Sequence, residues 1–218
     1  MKSGIMILEM QTSLPKSSTE HLFKVIVIGQ FRVGKTSFIQ RYVNGLFTEN
    51  YKATVGVDFA MKTIKWTEND IVRLQFWDIQ GQEDTTKMTR AFYKNAAACL
   101  IIFDMTSERS FEFCKELKEA VDSEVCDKYE MPIPCILLAN KCDLKEWAVT
   151  RERVDQFCSE CNFLCWKEIS VKRNEQLEES VGCLIEVVME RSKDSLEPVS
   201  EPELDIHQPP AKSYCCKI

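Results

Sequence analysis

The sequence has no excess of positive charge and very few histidines. It contains 28 lysines and arginines against 34 aspartates and glutamates, a net charge of −6. A nucleic-acid partner is therefore not expected, because nothing in the chain would neutralise a phosphate backbone. Cys158, Cys161 and Cys165 are spaced as if for a metal, but a second C-x-x-C is lacking, and His21 and His207 are the only histidines. Ordinary packing thiols are favoured over zinc ligands.

Long hydrophobic runs are also missing near the N-terminus. Residues 1–20 contain one short apolar run, at residues 5–8, which is too brief for a signal core or a membrane span. Eleven cysteines would suggest disulfides in a small secreted protein, but 218 residues with 44% hydrophobic content can form a core without them. We therefore expect a reduced, cytosolic protein with one domain at residues 21–193 and a flexible extension at residues 1–20.

Apolar strand patterns alternate with helical patterns along the chain. Strands are predicted at residues 22–28, 57–66, 71–77, 96–103, 133–139 and 163–169. Helices are predicted at residues 37–43, 86–95, 110–123, 151–161 and 176–191. This alternation, with hairpin chemistry at residues 67–70, predicts an α/β fold: a mostly parallel six-stranded sheet with one antiparallel edge hairpin and helices on both faces. Residues 194–218 are rich in proline, serine and acidic residues, which predicts a disordered tail.

The first strand leads into residues 29–36, GQFRVGKT, which have the pattern G-x-x-x-x-G-K-[ST]. A tight loop between a strand and a helix points backbone N–H groups inward, and the helix N-terminus adds partial positive charge, so phosphates bind there. The side chain of Lys35 would reach the terminal phosphates, and the Thr36 hydroxyl would ligate Mg²⁺. The flanking strand and helix favour this interpretation over a coincidental turn. The loop residues predicted to contact a nucleotide are Arg32, Val33, Gly34, Lys35, Thr36 and Ser37.

Three further segments also follow predicted strands. In WDIQGQE, residues 77–83, Asp78 can hold a metal, the Gly81 N–H can turn to a γ-phosphate, and Gln82 can orient attacking water. In NKCD, residues 140–143, the Asp143 carboxylate can accept hydrogen bonds from N1–H and the 2-amino group of guanine, which adenine cannot offer.

The last of these segments is EISVK, residues 168–172. Its backbone N–H groups could contact the guanine carbonyl, and the stem of Lys172 could cover the base. The carboxyl ends of parallel strands share one edge of a sheet, where α/β proteins bind ligands. We therefore expect all four segments to meet at that edge.

In order and placement, these segments resemble those of the small GTPases of the Ras superfamily. TVGVDF at residues 54–59, WD at residues 77–78 and the terminal pair Cys215 and Cys216 are most similar to the Rab family. Ile79 and NKCD resemble its subgroup of lysosome-related organelles. The resemblance covers residues 22–191 and the last four residues.

The resemblance implies a GTP hydrolase that uses Mg²⁺ and switches between GTP and GDP states in intracellular vesicle traffic. It assigns catalysis to Lys35 and Gln82. It assigns the metal to Thr36, Thr54 and Asp78, and effector contact to Phe59, Trp77 and Phe92. The further nucleotide contacts that it implies are Phe47, Thr54, Gly81, Asn140, Lys141, Asp143, Ser170, Val171 and Lys172.

The resemblance also implies a membrane anchor and a set of partners. Geranylgeranyl groups on Cys215 and Cys216 would hold the protein at the cytoplasmic face of an intracellular membrane, from which it cycles to the cytosol. Two lipids are favoured over one, because a single chain binds membranes only marginally. The implied protein partners of this monomer are effectors, an exchange factor, an activating protein and a prenyl-binding escort.

Several positions depart from the family pattern. Phe31 and Arg32 stand where small residues are usual, and one or both are expected to be strained. Gln80 replaces another small residue and is expected to crowd the γ-phosphate or the metal. Residues 84–85 alter the charge of the same segment, and Val171 replaces an alanine. We expect slow hydrolysis; the alternatives are a scaffold that holds GTP or no nucleotide, and an adenine-nucleotide kinase, against which Asp143 argues.

Overall fold

The computed structural model of the chain describes residues 18–49, 54–80, 91–127 and 131–193. These residues form one six-stranded sheet in the order β2-β3-β1-β4-β5-β6. The β2 and β3 strands are antiparallel, and the other neighbouring pairs are parallel. The predicted fold class is confirmed. The strands are β1 (Thr19–Ile28), β2 (Val57–Lys65), β3 (Asp70–Ile79), β4 (Ala98–Asp104), β5 (Cys135–Asn140) and β6 (Cys165–Glu168).

Helices cover both faces of this sheet. In the described residues they are α1 (Lys35–Asn44), α2 (Glu108–Glu124), α3 (Arg151–Glu160) and α4 (Leu177–Lys193). Alternate residues of the central strands point to opposite faces. Accordingly, Ile26 packs in a core with α2 and α3, while Val25 packs in a second core with α1 and α4. Every residue of β4 and β5 is buried, as their uninterrupted apolar sequences predict.

Some predicted boundaries differ from the observed ones. The β1 strand begins at Thr19 instead of residue 22, because its polar start pairs with β3 and His21 Nε2 lies 2.9 Å from Asp70 Oδ1. The α1 helix begins at Lys35, two residues before the predicted start. Of the helix predicted at residues 86–95, the described part contains only a single 3-10 turn at Ala91–Tyr93. Residues 86–90 lie outside the described residues.

Among the helices of the described residues, none combines the length and apolar character needed to cross a membrane.

Candidate functional site

The four sequence segments meet at one pocket of about 850 Å³ beyond the carboxyl ends of β1, β3, β5 and β6. Val33, Asp78 and Ser170 do not line this pocket, and all three are buried. Gly81 and Gln82 lie outside the described residues. The predicted site residues that line the pocket are Arg32, Gly34, Lys35, Thr36, Ser37, Phe47, Thr54, Asn140, Lys141, Asp143, Val171 and Lys172.

The loop between β1 and α1 packs so closely against the sheet that glycine is required at its two ends. A Cβ atom on Gly29 would overlap the carbonyl oxygen of Ile102, and one on Gly34 would overlap the side-chain amide of Asn140. Both glycines also have positive φ, 150° and 104°. The loop is therefore seated against β4 and β5 by its backbone.

The Lys35 side chain folds back over this loop. Its Nζ donates hydrogen bonds of 2.9 Å to the carbonyl oxygens of Gly29 and Gln30, and only 6% of the residue is exposed. Burial lowers the pKa of Lys35 to about 8, although the neighbouring Asp78 carboxylate opposes the shift. An anionic phosphate at this position would favour the charged form of the amine, so the loop is built to receive one.

Three oxygen-bearing side chains form what we call the oxygen cluster: Thr36, Thr54 and Asp78. Thr36 Oγ1 donates to Asp78 Oδ2 at 2.5 Å, and Thr54 Oγ1 lies 2.8 Å from Thr36 Oγ1 and 3.3 Å from the same carboxylate oxygen. Burial raises the pKa of Asp78, against the opposing effects of the Thr36 hydrogen bond and the Lys35 charge. The structure thus brings together the three residues that the sequence predicts to hold a metal, while their role as ligands stays a prediction.

The second carboxylate oxygen of Asp78 tests whether this cluster suits a metal. Asp78 Oδ1 is buried, and it has no hydrogen-bond partner within the described parts of the chain. A buried polar atom left unpaired costs about 1–3 kcal/mol. Hydroxyl and carboxylate oxygens are the donors that Mg²⁺ prefers, usually with waters completing its shell. The residues present therefore fit Mg²⁺, and a bound ion would give the unpaired Asp78 Oδ1 a partner.

Asn140 joins three of the segments at the other end of the pocket. Its Nδ2 donates to the Val33 carbonyl at 2.7 Å, and its Oδ1 accepts from the Val171 N–H at 3.2 Å. Ser170 is fully buried, and its Oγ donates to Asp143 Oδ1 at 2.7 Å. The carboxylate predicted to select guanine is thus held in a fixed orientation by a residue of the last motif.

Two partners of the site lysines were not predicted from the sequence. Lys141 Nζ lies 2.5 Å from Asp104 Oδ2, at the end of β4, and Lys172 Nζ lies 2.9 Å from Glu49 Oε1. Asp104 could have been noticed, because it ends a buried strand at the same edge of the sheet. Glu49 carries no such signal, since it lies in a loop far from Lys172 in sequence.

The departures from the family pattern have distinct surroundings. Phe31 is 46% exposed at the pocket rim, and Arg32 has the left-handed φ of 63°, so Arg32 is the strained position of the two. Gln80 lines the pocket, but its Oε1 accepts a hydrogen bond from the Gly56 N–H at 2.8 Å. That oxygen is therefore engaged with the start of β2.

The three aromatic residues predicted to meet effectors lie in one group. The Phe59 and Trp77 rings are 4.5 Å apart at 87°, and the Phe92 ring is 6.3 Å from Trp77. Phe59 is 54% exposed, while the other two are half-buried against the core. Trp77 and Phe92 are thus held by the core while the Phe59 ring protrudes, an arrangement that suits contact with another protein.

Comparison with known proteins agrees with this geometry. The family model described as "Ras family" matches residues 24–190. The chain is 48% identical to Ras-related protein Rab-7L1 of Homo sapiens over 179 residues, which cover 82% of this chain and 88% of that protein. It is 47% identical to Ras-related protein Rab-32 of Homo sapiens over 171 residues, 78% of this chain and 76% of that protein. Ras-related protein Rab-32B of Dictyostelium discoideum is 42% identical over 182 residues, with 84% and 70% covered.

The Ser170 hydroxyl gives a direct test of the base-binding end. We expect Ser170→Ala to weaken GDP binding by about 3–10-fold, because Asp143 loses a hydrogen bond worth roughly 0.5–1.5 kcal/mol. Ser180→Ala is the matched control, since Ser180 of α4 is equally buried but donates to the carbonyl of Gln176, the residue before that helix. Fluorescent GDP titration should show a loss for Ser170→Ala alone. Equal GDP affinities of the two variants would contradict the positioning of Asp143 by Ser170.

Proposed function

Because this chain belongs to the Ras family and, within it, to the Rab small GTPases, we propose that it is a membrane-anchored GTP/GDP switch that recruits effectors in vesicle traffic. It is related to the Rab subgroup of lysosome-related organelles. This proposal is supported chiefly by one pocket of about 850 Å³ that has Lys35 at one end, suited to phosphates, and Asp143 at the other, suited to guanine.

Each end of the pocket has residues suited to one part of a guanine nucleotide. Lys35 and the backbone N–H groups of its loop would bind the phosphates, and Thr36, Thr54 and Asp78 would hold Mg²⁺. The bound ion would neutralise charge on the phosphate oxygens. Asp143, oriented by Ser170, accepts from the N1–H and 2-amino groups of guanine.

One contact that would depend on the bound nucleotide lies at Thr54, shortly before β2. Thr54 already lies in the oxygen cluster, so a γ-phosphate and its metal would bind beside it. Loss of that phosphate removes one anchor from this segment. Phe59 lies five residues after Thr54, in β2, and is exposed. A partner that contacts its ring would therefore be sensitive to the conformation of the chain around Thr54.

The nucleotide bound during expression distinguishes this function from its alternatives. We expect denatured, purified protein to release GDP, identified by chromatography, because the Asp143 carboxylate selects guanine and the switch turns over. The Asp143→Asn variant should retain much less guanine nucleotide. Recovery of GTP would instead support a scaffold that does not hydrolyse it, and recovery of ATP would contradict guanine selection.

Slow hydrolysis is the second part of the proposal. The exposed Phe31 ring lies at the rim beside the phosphate end, and the Arg32 guanidinium lies 5.9 Å from that ring. Together they take up space that a water-orienting side chain or an arginine from an activating partner would need. The same observation favours the scaffold as the second candidate.

Removal of this bulk should increase the rate of hydrolysis. We expect the double variant Phe31→Ala, Arg32→Gly to hydrolyse bound GTP at least about tenfold faster in single-turnover assays, which equals about 1.4 kcal/mol in the barrier. Leu144→Ala is the control, because Leu144 is equally exposed, at 46%, and lines the base end of the same pocket. An unchanged rate in the double variant would remove Phe31 and Arg32 as the cause of slow turnover.

Membrane anchoring through Cys215 and Cys216 remains a proposal, since both residues lie outside the described part of the chain. It is supported by the family membership and by the position of the pair at the end of a linker-like sequence. We expect mass spectrometry of protein from cells to find two geranylgeranyl groups, and none in a Cys215→Ser, Cys216→Ser variant. Cys126→Ser, at an exposed cysteine of the domain, should retain both. Free thiols at both terminal cysteines would refute the anchor.

A further inference from the structure

The antiparallel ladder between β2 and β3 ends in an unusual way next to the oxygen cluster. Val57 and Ile79 are the last residues paired within the two strands. One step beyond them, the Gln80 N–H donates to the Gly56 carbonyl at 2.9 Å. The Gly56 N–H donates to the side-chain oxygen of Gln80, Oε1, at 2.8 Å. A single residue therefore satisfies both backbone polar groups of Gly56.

The Gln80 side chain replaces a backbone group in this arrangement. In a continuing antiparallel ladder, two opposite residues exchange both N–H···O bonds through their main chains. Gly56 has the left-handed φ of 76°, so its backbone leaves the strand conformation there. The long amide side chain still reaches the Gly56 N–H. An alanine at this position could not, since its side chain carries no acceptor.

Among the contacts that the described residues make, few besides those of Gln80 and the oxygen cluster hold residues 54–56 in place. Val55 is 88% exposed, and a Cβ atom on Gly56 would meet no heavy atom within 4 Å. Its first residue, Thr54, is bonded in the oxygen cluster, and its last residue is bonded to Gln80. Hydrogen bonds rather than apolar packing thus determine where the segment lies. Both bonds to Gly56 are made by another residue of the chain itself, Gln80.

We propose that Gln80 is a positioning residue that holds residues 54–56 against the oxygen cluster whether or not a third phosphate is bound. This inference rests on the proposed nucleotide switch. A ligand shifts the equilibrium between two conformations only by the difference in its affinity for them. If the conformation that binds the ligand is rarely populated, the apparent affinity falls in proportion to that population. With Gln80 in place, the binding of GTP does not have to provide the free energy that closes residues 54–56. The segment also stays largely closed when GDP is bound. The chain accordingly separates its two nucleotide states less sharply at residues 54–56 than a chain with a small residue there.

The low glycine content allows the Gly56 N–H to be observed directly. The chain has seven glycines, so selective ¹⁵N-glycine labelling limits the amide spectrum to that set. In wild-type protein, we expect the Gly56 amide to be protected from hydrogen exchange with either GDP or a non-hydrolysable GTP analogue. In Gln80→Met, which keeps the length but loses the acceptor, protection in the GDP state should fall by at least about tenfold.

Gln75→Met is the matched control, because it makes the same change on β3 away from the oxygen cluster, opposite Met61. It should keep the wild-type protection, and the thermal unfolding midpoints of both variants will show that each is folded. Equal Gly56 protection in wild type and Gln80→Met with GDP bound would overturn the proposal. So would an unprotected Gly56 amide in wild-type protein with GDP bound.

The two dissociation constants give a readout that a purely structural role would not change. Gln80→Met should lower the affinity for the GTP analogue by about 3–10-fold and leave the affinity for GDP nearly unchanged, because only binding of the analogue depends on the closed segment. Equal losses of affinity for GDP and the GTP analogue in Gln80→Met would overturn the positioning role of Gln80 but leave the proposed function intact. A wild-type protein that bound neither nucleotide would overturn both.

Discussion

Two hydrogen bonds of the Asn140 side chain hold the site together. They join the phosphate loop at Val33 to the last motif at Val171, and Asn140 itself ends β5. Gly34 lies so close to the same amide that a larger residue would overlap it. The loop, the end of the central sheet and the base-binding segment therefore behave as one body, and a shift of any one would misplace the others.

This rigid frame allows two charged groups to remain buried close together. The Lys35 amine is held by loop carbonyls, and burial lowers its pKa, while burial raises the pKa of Asp78. Both shifts disfavour the charged forms, so the protein alone bears an electrostatic cost at this end of the pocket. A phosphate beside Lys35 and a cation beside Asp78 would reverse that cost. The binding of Mg²⁺ with a nucleotide is thus favoured by the same burial that the frame enforces.

The sequence predicted the features that depend on local pattern and on sheet topology. The uninterrupted apolar runs of β4 and β5 identified the buried strands, and the shared edge of parallel strands predicted the convergence of the four segments. The early start of β1 was missed, because residues 19–21 are polar and are strand only through their pairing with β3. The bonds of Gln80 to Gly56 and of Lys172 to Glu49 were missed because each joins segments distant in sequence.

We propose that these segments form one magnesium-dependent site for a guanine nucleotide. Calorimetric titration of nucleotide-free protein with GDP, with Mg²⁺ and again with the metal chelated, tests it most directly. We expect saturable binding of one GDP per chain, and an affinity that falls by at least about tenfold, or 1.4 kcal/mol, when the metal is removed. An absence of binding heat, or an affinity that does not respond to Mg²⁺, would contradict it.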